Sequence, residues 1–293
     1  MNRAVPFAFP VRDLREHVTA FEAALTVTLA DPGVEPVHRL RTCSRRIEAQ
    51  LVLLGLLSGL PDHDREARRA ARSLAKVRAT AGEVRDLDVL RKLVKTMASG
   101  DGSLDDDARV VRRALKRKRA ERSVWLIHTV EGALARVVAR LEALLEVLAP
   151  AGGCSVPAGE LAAISQGWFV EHAPAATDVE PDDTERLHEI RKAAKIARYL
   201  AEGATSDDER AGNEAAASPG EGADVVAVAG SFEQVQQAGG EWHDLVLLAE
   251  IARKRLGASS PLVSGAERAR DEARSAYQRE LTALPRDPSR GGR

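Results

Sequence analysis

The sequence predicts an all-α fold built as two related helical halves, and three observations predict it. Apolar residues recur at helical spacing along most of the chain. Aromatic residues make up only 3% of it while hydrophobic residues reach 44%, so the core must be Leu, Val, Ile and Ala, which suits packed helices better than a β-sandwich. Two basic segments far apart in the chain share one pattern, as set out below.

Element by element, the spacing predicts a first helix over 13–29, ended by Asp31, Pro32 and Gly33. A second runs over 37–57 and stops at Ser58, Gly59, Leu60 and Pro61. A third covers 64–80, and Gly82 separates it from a fourth over 84–97. The Gly- and Asp-rich stretch 99–107 reads as a loop, followed by a long helical region over 108–148 with a break expected near His128. After a loop at 150–157 come a shorter helix at 161–171 and a clear one at 184–202. The stretch 205–222 is small, polar and acidic without a hydrophobic period, so it reads as a flexible insertion. Helical spacing resumes over 232–256 and 264–284, and the tail 285–293 is expected to be disordered. No segment alternates as a strand should; 223–229, Ala-Asp-Val-Val-Ala-Val-Ala, comes nearest.

The chain has 293 residues and a net charge of -1, with 43 basic residues that divide into 35 Arg and 8 Lys. Arginine presents a planar fork of donors suited to phosphate oxygens and stays charged at working pH. The two cysteines, Cys43 and Cys154, form no CxxC pair, so no zinc or thioredoxin-like site is expected. The N-terminal residues lack the apolar core of a signal peptide, and no run approaches the ~18 apolar residues of a membrane span. The expectation is a reduced, soluble, cytoplasmic protein that does not enter membranes and needs no cofactor.

Two helices carry the functional reading. His38, Arg41 and Arg45 stand at i, i+3 and i+7 and form one stripe, with Leu40, Ile47, Leu51 and Leu54 on the opposite side. His188, Arg191, Lys195 and Arg198 form a second stripe, backed by Ile190, Ala193, Ala197 and Leu200. Each is followed by the element Gly-Glu-apolar-basic-Asp-Leu, at Gly82–Leu87 and at Gly240–Leu245, beginning 44 and 52 residues after the respective histidine. Two cues in one order and at similar spacing indicate an internal duplication. Like charges one turn apart are mildly unfavourable, and a structural salt-bridge face would interleave carboxylates that these stripes nearly lack. A single basic helix reads as solvated surface. Two matched stripes meeting across a pseudo-twofold groove would focus positive potential on an extended polyanion.

Other basic faces extend this surface: Arg65, Arg68, Arg69, Arg72 and Lys76 on one helix, and Arg109, Arg112, Arg113, Lys116 and Arg119 on another. Of these, Arg72, Lys76, Arg112, Lys116 and Arg119 are candidates to join the ligand surface. The two histidines read equally as phosphate donors or as caps on the core. Asp86, Asp88 and Asp244 are expected to orient arginines or cap helices rather than to catalyse. No Gly-rich phosphate loop, nucleophile elbow or zinc-protease motif occurs, so neither a catalytic residue nor a metal ligand is assigned.

These residues resemble the CHAD family, the conserved histidine α-helical domain. Val37-His38-Arg39-Leu40-Arg41 followed by Arg45-Arg46 is similar to its first signature, and Arg85-Asp86-Leu87-Asp88-Val89 to its Arg-Asp-x-Asp-Val element. His188 to Tyr199 matches His-x-x-Arg-Lys-x-x-Lys-x-x-Arg-Tyr at every named position. Gly239-Gly240-Glu241-Trp242-His243-Asp244 looks like its late Leu-Gly-x-x-x-Asp element, with Gly239 where Leu is usual. The resemblance spans 12–284 as a single domain, with halves at 12–150 and 158–284. It implies two pseudo-symmetric bundles around a basic groove and binding of inorganic polyphosphate, with association with polyphosphate granules in some members. The implied ligands are His38, Arg41, Arg45, Arg46, His188, Arg191, Lys192, Lys195 and Arg198, with Arg85, Asp86, Asp88, Tyr199 and Asp244 in support. Many relatives also carry a triphosphatase domain; this chain has no room for one and lacks its ExExK pattern, so no enzymatic activity is expected. Nucleic acid is the alternative partner, since phosphates attract the same arginines, and a metal-dependent phosphohydrolase using Asp86 and Asp88 is a third.

Overall fold

In a computed structural model the described residues are 7–99, 102–173, 183–203 and 221–284. They are 89% helical, in eight α-helices. The helices are α1 Pro10–Ala30, α2 Val34–Leu56, α3 Asp64–Ala98, α4 Asp105–Leu148, α5 Ala158–His172, α6 Thr184–Glu202, α7 Glu221–Leu256 and α8 Pro261–Ala283. One two-residue ribbon joins β1, Phe7–Ala8, to β2, Val156–Pro157, antiparallel. The tail 285–293 and most of the acidic stretch 205–222 lie outside the described residues, as does most of 178–183.

The order of elements repeats. A shorter helix (α1, α5) leads to a stripe-bearing helix (α2, α6) and then to a long helical hairpin (α3–α4, α7–α8). Three apolar clusters hold this arrangement. The first joins Leu14 and Phe21 of α1 to Leu40 and Ile47 of α2, Leu74 and Val77 of α3, and Leu126 and Leu141 of α4. The second joins Leu161 of α5 to Ile190 of α6, Val235 and Trp242 of α7, and Tyr277 of α8. The third lies between the hairpins, where Val94, Val111 and Leu115 meet Leu248, Ala252 and Leu262. Leu53 of α2 also enters the second cluster, and Gln50 donates from Nε2 to the buried carbonyl of Pro10 at 2.8 Å.

The helices differ from the expected boundaries in three places. Residues 64–98 form one helix, not two separated at Gly82. A glycine inside a helix costs about 1 kcal/mol relative to alanine, but buried Leu74, Val77, Ala81, Val84 and Leu87 keep one apolar face through it. α4 is likewise unbroken past His128, because Leu126 and Val130 bury on the same face. The Ala223–Ala229 stretch is helical: Val225 and Val228 bury at i and i+3 while Val226 is 53% exposed, so the alternation was accidental.

Polar groups finish the ends and the interior. Asp183 caps α6 by accepting from the Arg186 amide at 3.0 Å. Ser260 stands before Pro261 at the start of α8, accepting from the Val263 amide and donating to Asp107 Oδ2, which ties α8 to the entry of α4. Asp88 is buried in the α3–α4 hairpin, where Arg119 Nε donates to it at 3.0 Å and Arg91 lies 3.7 Å away.

Among the described residues, Gly239 is the glycine where a close approach demands the absence of a side chain. A Cβ there would lie 2.9 Å from two ring carbons of the buried Tyr277 and 3.1 Å from Arg191 Cγ. Tyr277 is itself pinned, its hydroxyl donating to the Leu187 carbonyl at 3.0 Å and its ring stacked on Trp242. Gly82 is the contrast, since its Cβ would meet only Arg41 Nε at 3.6 Å. Gly239→Ala should therefore destabilise the protein by about 1–3 kcal/mol, the usual cost of overpacking, despite the gain in helix propensity. Gly82→Ala should stabilise by up to about 1 kcal/mol. Urea melts followed by circular dichroism check both signs.

Candidate functional site

The two stripes lie on helices that pack against each other, α2 and α6. Their apolar backs are buried: Leu40, Ile47 and Leu54 on α2, Ile190, Ala194 and Ala197 on α6. The basic residues emerge from the opposite sides at the junction. On α2, His38 is exposed while Arg41 and Arg45 are half-buried; on α6, His188 and Arg191 are half-buried and Lys195 is only 9% exposed.

The charges converge. Lys195 is within electrostatic reach of Arg45 and Arg41 of α2, Arg191 of its own helix and Asp86 of α3. Arg191 in turn feels Asp244 of α7, Tyr277 of α8, and Arg41 and Asp86. Arg41 Nη2 donates to Asp86 Oδ1 at a long 3.4 Å. Arg41 thus registers against Arg191 and Lys195, and Arg45 against Lys195, so the stripes ascend in the same sense. The repeated Gly-Glu-apolar-basic-Asp-Leu element also does the same thing twice. Its carboxylates, Asp86 and Asp244, sit among the arginines and feel each other. Its basic residue sits beside each stripe's histidine: Arg85 beside His38, and His243 beside His188 with ring centroids 5.0 Å apart.

Ionisation follows from burial and crowding. Burial, then the neighbouring Arg45, Arg191 and Arg41, push Lys195 down to about 6. Burial and Arg191 push His243 down to about 4. Burial, with Asp86 nearby, raises Asp244 to about 6 against the pull of Arg191, Arg41 and Lys195. Burial lowers His38 and His188 as well, each helped by its neighbouring arginine, Arg85 and Arg191 respectively. Arg191 Nη2 lies 3.2 Å from His188 Nδ1, a donation that requires an unprotonated Nδ1. Burial brings Arg45 to about 10, which leaves it charged at neutral pH.

Three arginines at this junction keep buried donors unused. Among the described residues the Nε of Arg41, Arg45 and Arg191 has no hydrogen-bond partner, and that of Arg198 has none either, although Glu202 Oε1 lies 3.3 Å from it. Leaving a buried donor unmade costs about 1–3 kcal/mol, more when the group is charged.

The other predicted residues divide by their partners. Arg198 lies near Glu202 and Glu233, at 3.3 and 3.0 Å, with its guanidinium over the Tyr199 ring. Lys192 pairs with Glu189 at 2.6 Å. Arg46 is half-buried beside Cys43. Arg72 and Lys76 are exposed on α3, and Lys76 Nζ stands 5.8 Å from the ring of Trp125, itself 50% exposed. Arg112 and Lys116 are exposed on α4, with no carboxylate partner among the described residues. Arg65, Arg68, Arg69 and Arg109 instead have carboxylates on their own helices. Arg119 is different from all of these: beyond Asp88, it donates to the Pro32 carbonyl at 2.7 Å and to Ser123 Oγ at 3.1 Å. Its guanidinium is a strut binding α3, α4 and the α1–α2 turn, and Asp88 serves that strut.

Sequence reasoning did not place His243, Tyr277 or Gly239 at the site. His243 had a signal, since it occupies the position of Arg85 in the second copy of the repeated element. Tyr277 and Gly239 had none, because their part depends on α8 packing against α6 and α7.

A family model described as the CHAD domain matches residues 12–253. Among solved structures, PptA from Streptomyces chartreusis superposes with a TM-score of 0.59 at 19% identity, covering 94% of this chain and 98% of that one. The crystal structure of the CHAD domain from the plant Ricinus communis gives 0.61 at 16% identity, covering 97% and 95%. No curated protein sequence matches the chain. With the match over most of its length, the helix order and the paired histidine stripes all in agreement, the chain belongs to the CHAD domain family.

Proposed function

We propose that this protein binds inorganic polyphosphate, without hydrolysing it, in a basic groove between its two halves, 12–150 and 158–284. The observation that carries the reading is the set of unused Nε donors on Arg41, Arg45 and Arg191, gathered with Lys195 from two different helices. A chain of phosphates offers one acceptor-rich anion after another at short spacing, which suits donors repeated along two stripes. His38 and His188 flank this set and extend it at one end. Arg46, Lys192 and Arg198 are secondary ligands, because Lys192 and Arg198 must first leave their own carboxylates. Arg72, Lys76, Arg112 and Lys116 are outer cations that steer the ligand. Arg119 is left out of the ligand set on account of its internal bonds.

Nucleic acid is the weaker reading. Single-stranded binding draws on exposed aromatic platforms, whereas Tyr277 is fully buried with its hydroxyl engaged and the half-buried Tyr199 ring is covered by the Arg198 guanidinium. For the membrane, among the described residues no helix is long and apolar enough to cross one. We place the protein in the cytoplasm, at polyphosphate granules, where a fluorescent fusion should co-localise with stained granules.

Labelled long-chain polyphosphate, competed with unlabelled polyphosphate, DNA or RNA, tests the proposal. Polyphosphate should displace best, with affinity falling steeply as salt rises; a preference for nucleic acid would reject it. Release of phosphate during incubation with a divalent metal would show that the protein is an enzyme after all.

Arg41→Gln and Arg191→Gln should each weaken binding by roughly 10- to 100-fold, the loss of one charge-assisted contact, with helix content unchanged. Arg119→Gln should instead lower the melting temperature and leave affinity within a few-fold, since it strips the buried Asp88 of its partner.

A further inference from the structure

The site has an unusual imbalance. Three guanidiniums that stay charged at neutral pH, those of Arg41, Arg45 and Arg191, surround one lysine that does not. Lys195 is nearly sealed from water, so solvent does little to separate these charges. The groups that face it are Arg41 and Arg45 from α2, Asp86 from α3 and Arg191 from its own helix, with His188 of its own helix and His243 and Asp244 of α7 within reach. Asp86 and Asp244 compensate the arginines, with Glu48 acting on Arg45, and Asp86 already accepts from Arg41. Arg191 is held in place by the His188 ring on one side and by the Gly239–Tyr277 contact on the other. Like charges are thus locked together by packing rather than by attraction.

We propose that polyanion binding at this junction is coupled to proton uptake, with Lys195 as the principal acceptor and His243 and Asp244 as lesser ones. This rests on the binding function proposed above and adds how it responds to pH. Without ligand, Lys195 sheds its proton at about 6 rather than at its ordinary 10.5, so near neutral pH most molecules hold it uncharged. His243, lowered to about 4, is uncharged as well. A polyphosphate segment laid against Arg41, Arg45 and Arg191 reverses the local field, and the charged form of every one of these bases becomes the favoured one. Asp244, raised to about 6, is driven in the same direction, because an anion beside it favours its neutral form. Each group therefore gains protons when the anion binds, and the arginines contribute none.

The sign follows. The bound state holds more protons than the free state between the free and bound titration points of Lys195. Affinity must rise as pH falls from about 8 towards 6, by up to about tenfold per unit for one proton taken up. The Lys195 contribution levels off below about 6, where Lys195 is already charged without ligand, and His243 adds a smaller rise below that. The binding surface would thus be weakly charged when empty and fully cationic when filled, which spares the free protein some repulsion and sets its release to rise in alkaline conditions.

Calorimetry on the full chain tests this with long-chain polyphosphate, whose internal phosphates do not titrate in this range. At pH 7.5 the binding enthalpy should differ between two buffers of unlike ionisation enthalpy, the slope corresponding to about one proton taken up per site. Saturable heat that is the same in both buffers overturns the coupling and leaves the binding function standing; no saturable heat at all overturns both. Lys195→Arg, whose charge is permanent, should flatten the rise in affinity between pH 8 and 6, and a rise as steep as in the unaltered protein would overturn Lys195 as the acceptor. Should that variant fold poorly, an NMR titration of the Lys195 side chain in the ligand-free protein decides the same point: titration near 6 supports the proposal, and titration near 10 refutes it.

Discussion

Everything at the centre of this molecule depends on holding like charges together. Arg41, Arg45 and Arg191 repel one another and oppose a charge on Lys195, and no local preference would bring them to one place. They stay because each stands on a helix whose other face is committed to a core. Leu40, Ile47 and Leu54 fix α2 against α1 and α3, and Ile190, Ala194 and Ala197 fix α6 against α5 and α7. Burying a leucine-sized side chain is worth about 1.5–3 kcal/mol. A handful of these offsets the cost of keeping like charges close in a nearly sealed site, a cost that Lys195 lessens by giving up its proton near neutral pH.

The two stripes are also held in register from outside. The hairpins α3–α4 and α7–α8 reach well beyond the stripe-bearing helices, and α4 alone is about 66 Å long at 1.5 Å per residue. Their far ends meet in a separate apolar cluster, so the relative placement of the halves does not rest on the charged junction itself. The Arg119 strut and the Ser260–Asp107 bond stiffen the same frame. A ligand meeting this surface finds donors already arranged, and preorganisation of this kind lowers the ordering cost of binding.

Asp86 and Asp244 give the junction its balance. Each comes from the repeated element, and together they are counter-charges at the centre of a largely cationic surface. One accepts from Arg41 and the other lies near Arg191. Their place explains why Gly-Glu-apolar-basic-Asp-Leu recurs: the aspartate compensates the stripe, and the basic residue before it stands by the stripe's histidine.

By itself, the sequence determined the all-α class, the duplicated order and the two stripes, because helical periodicity is a local property and a basic residue at i+3 or i+7 shares a face whatever surrounds it. The unbroken α3 across Gly82, the continuous α4 past His128 and the helical 223–229 were decided by burial against other helices, which outweighs local propensity. Tertiary structure alone separated the cations. Arg119 and Arg45 read alike in sequence, yet one is consumed by Asp88, Pro32 and Ser123 while the other keeps a buried donor unused. It alone also set the ionisation of Lys195, His243 and Asp244, since a titration point depends on desolvation and on charges brought near from distant parts of the chain. Neither the distances nor the burial that govern those effects exist until the halves are packed.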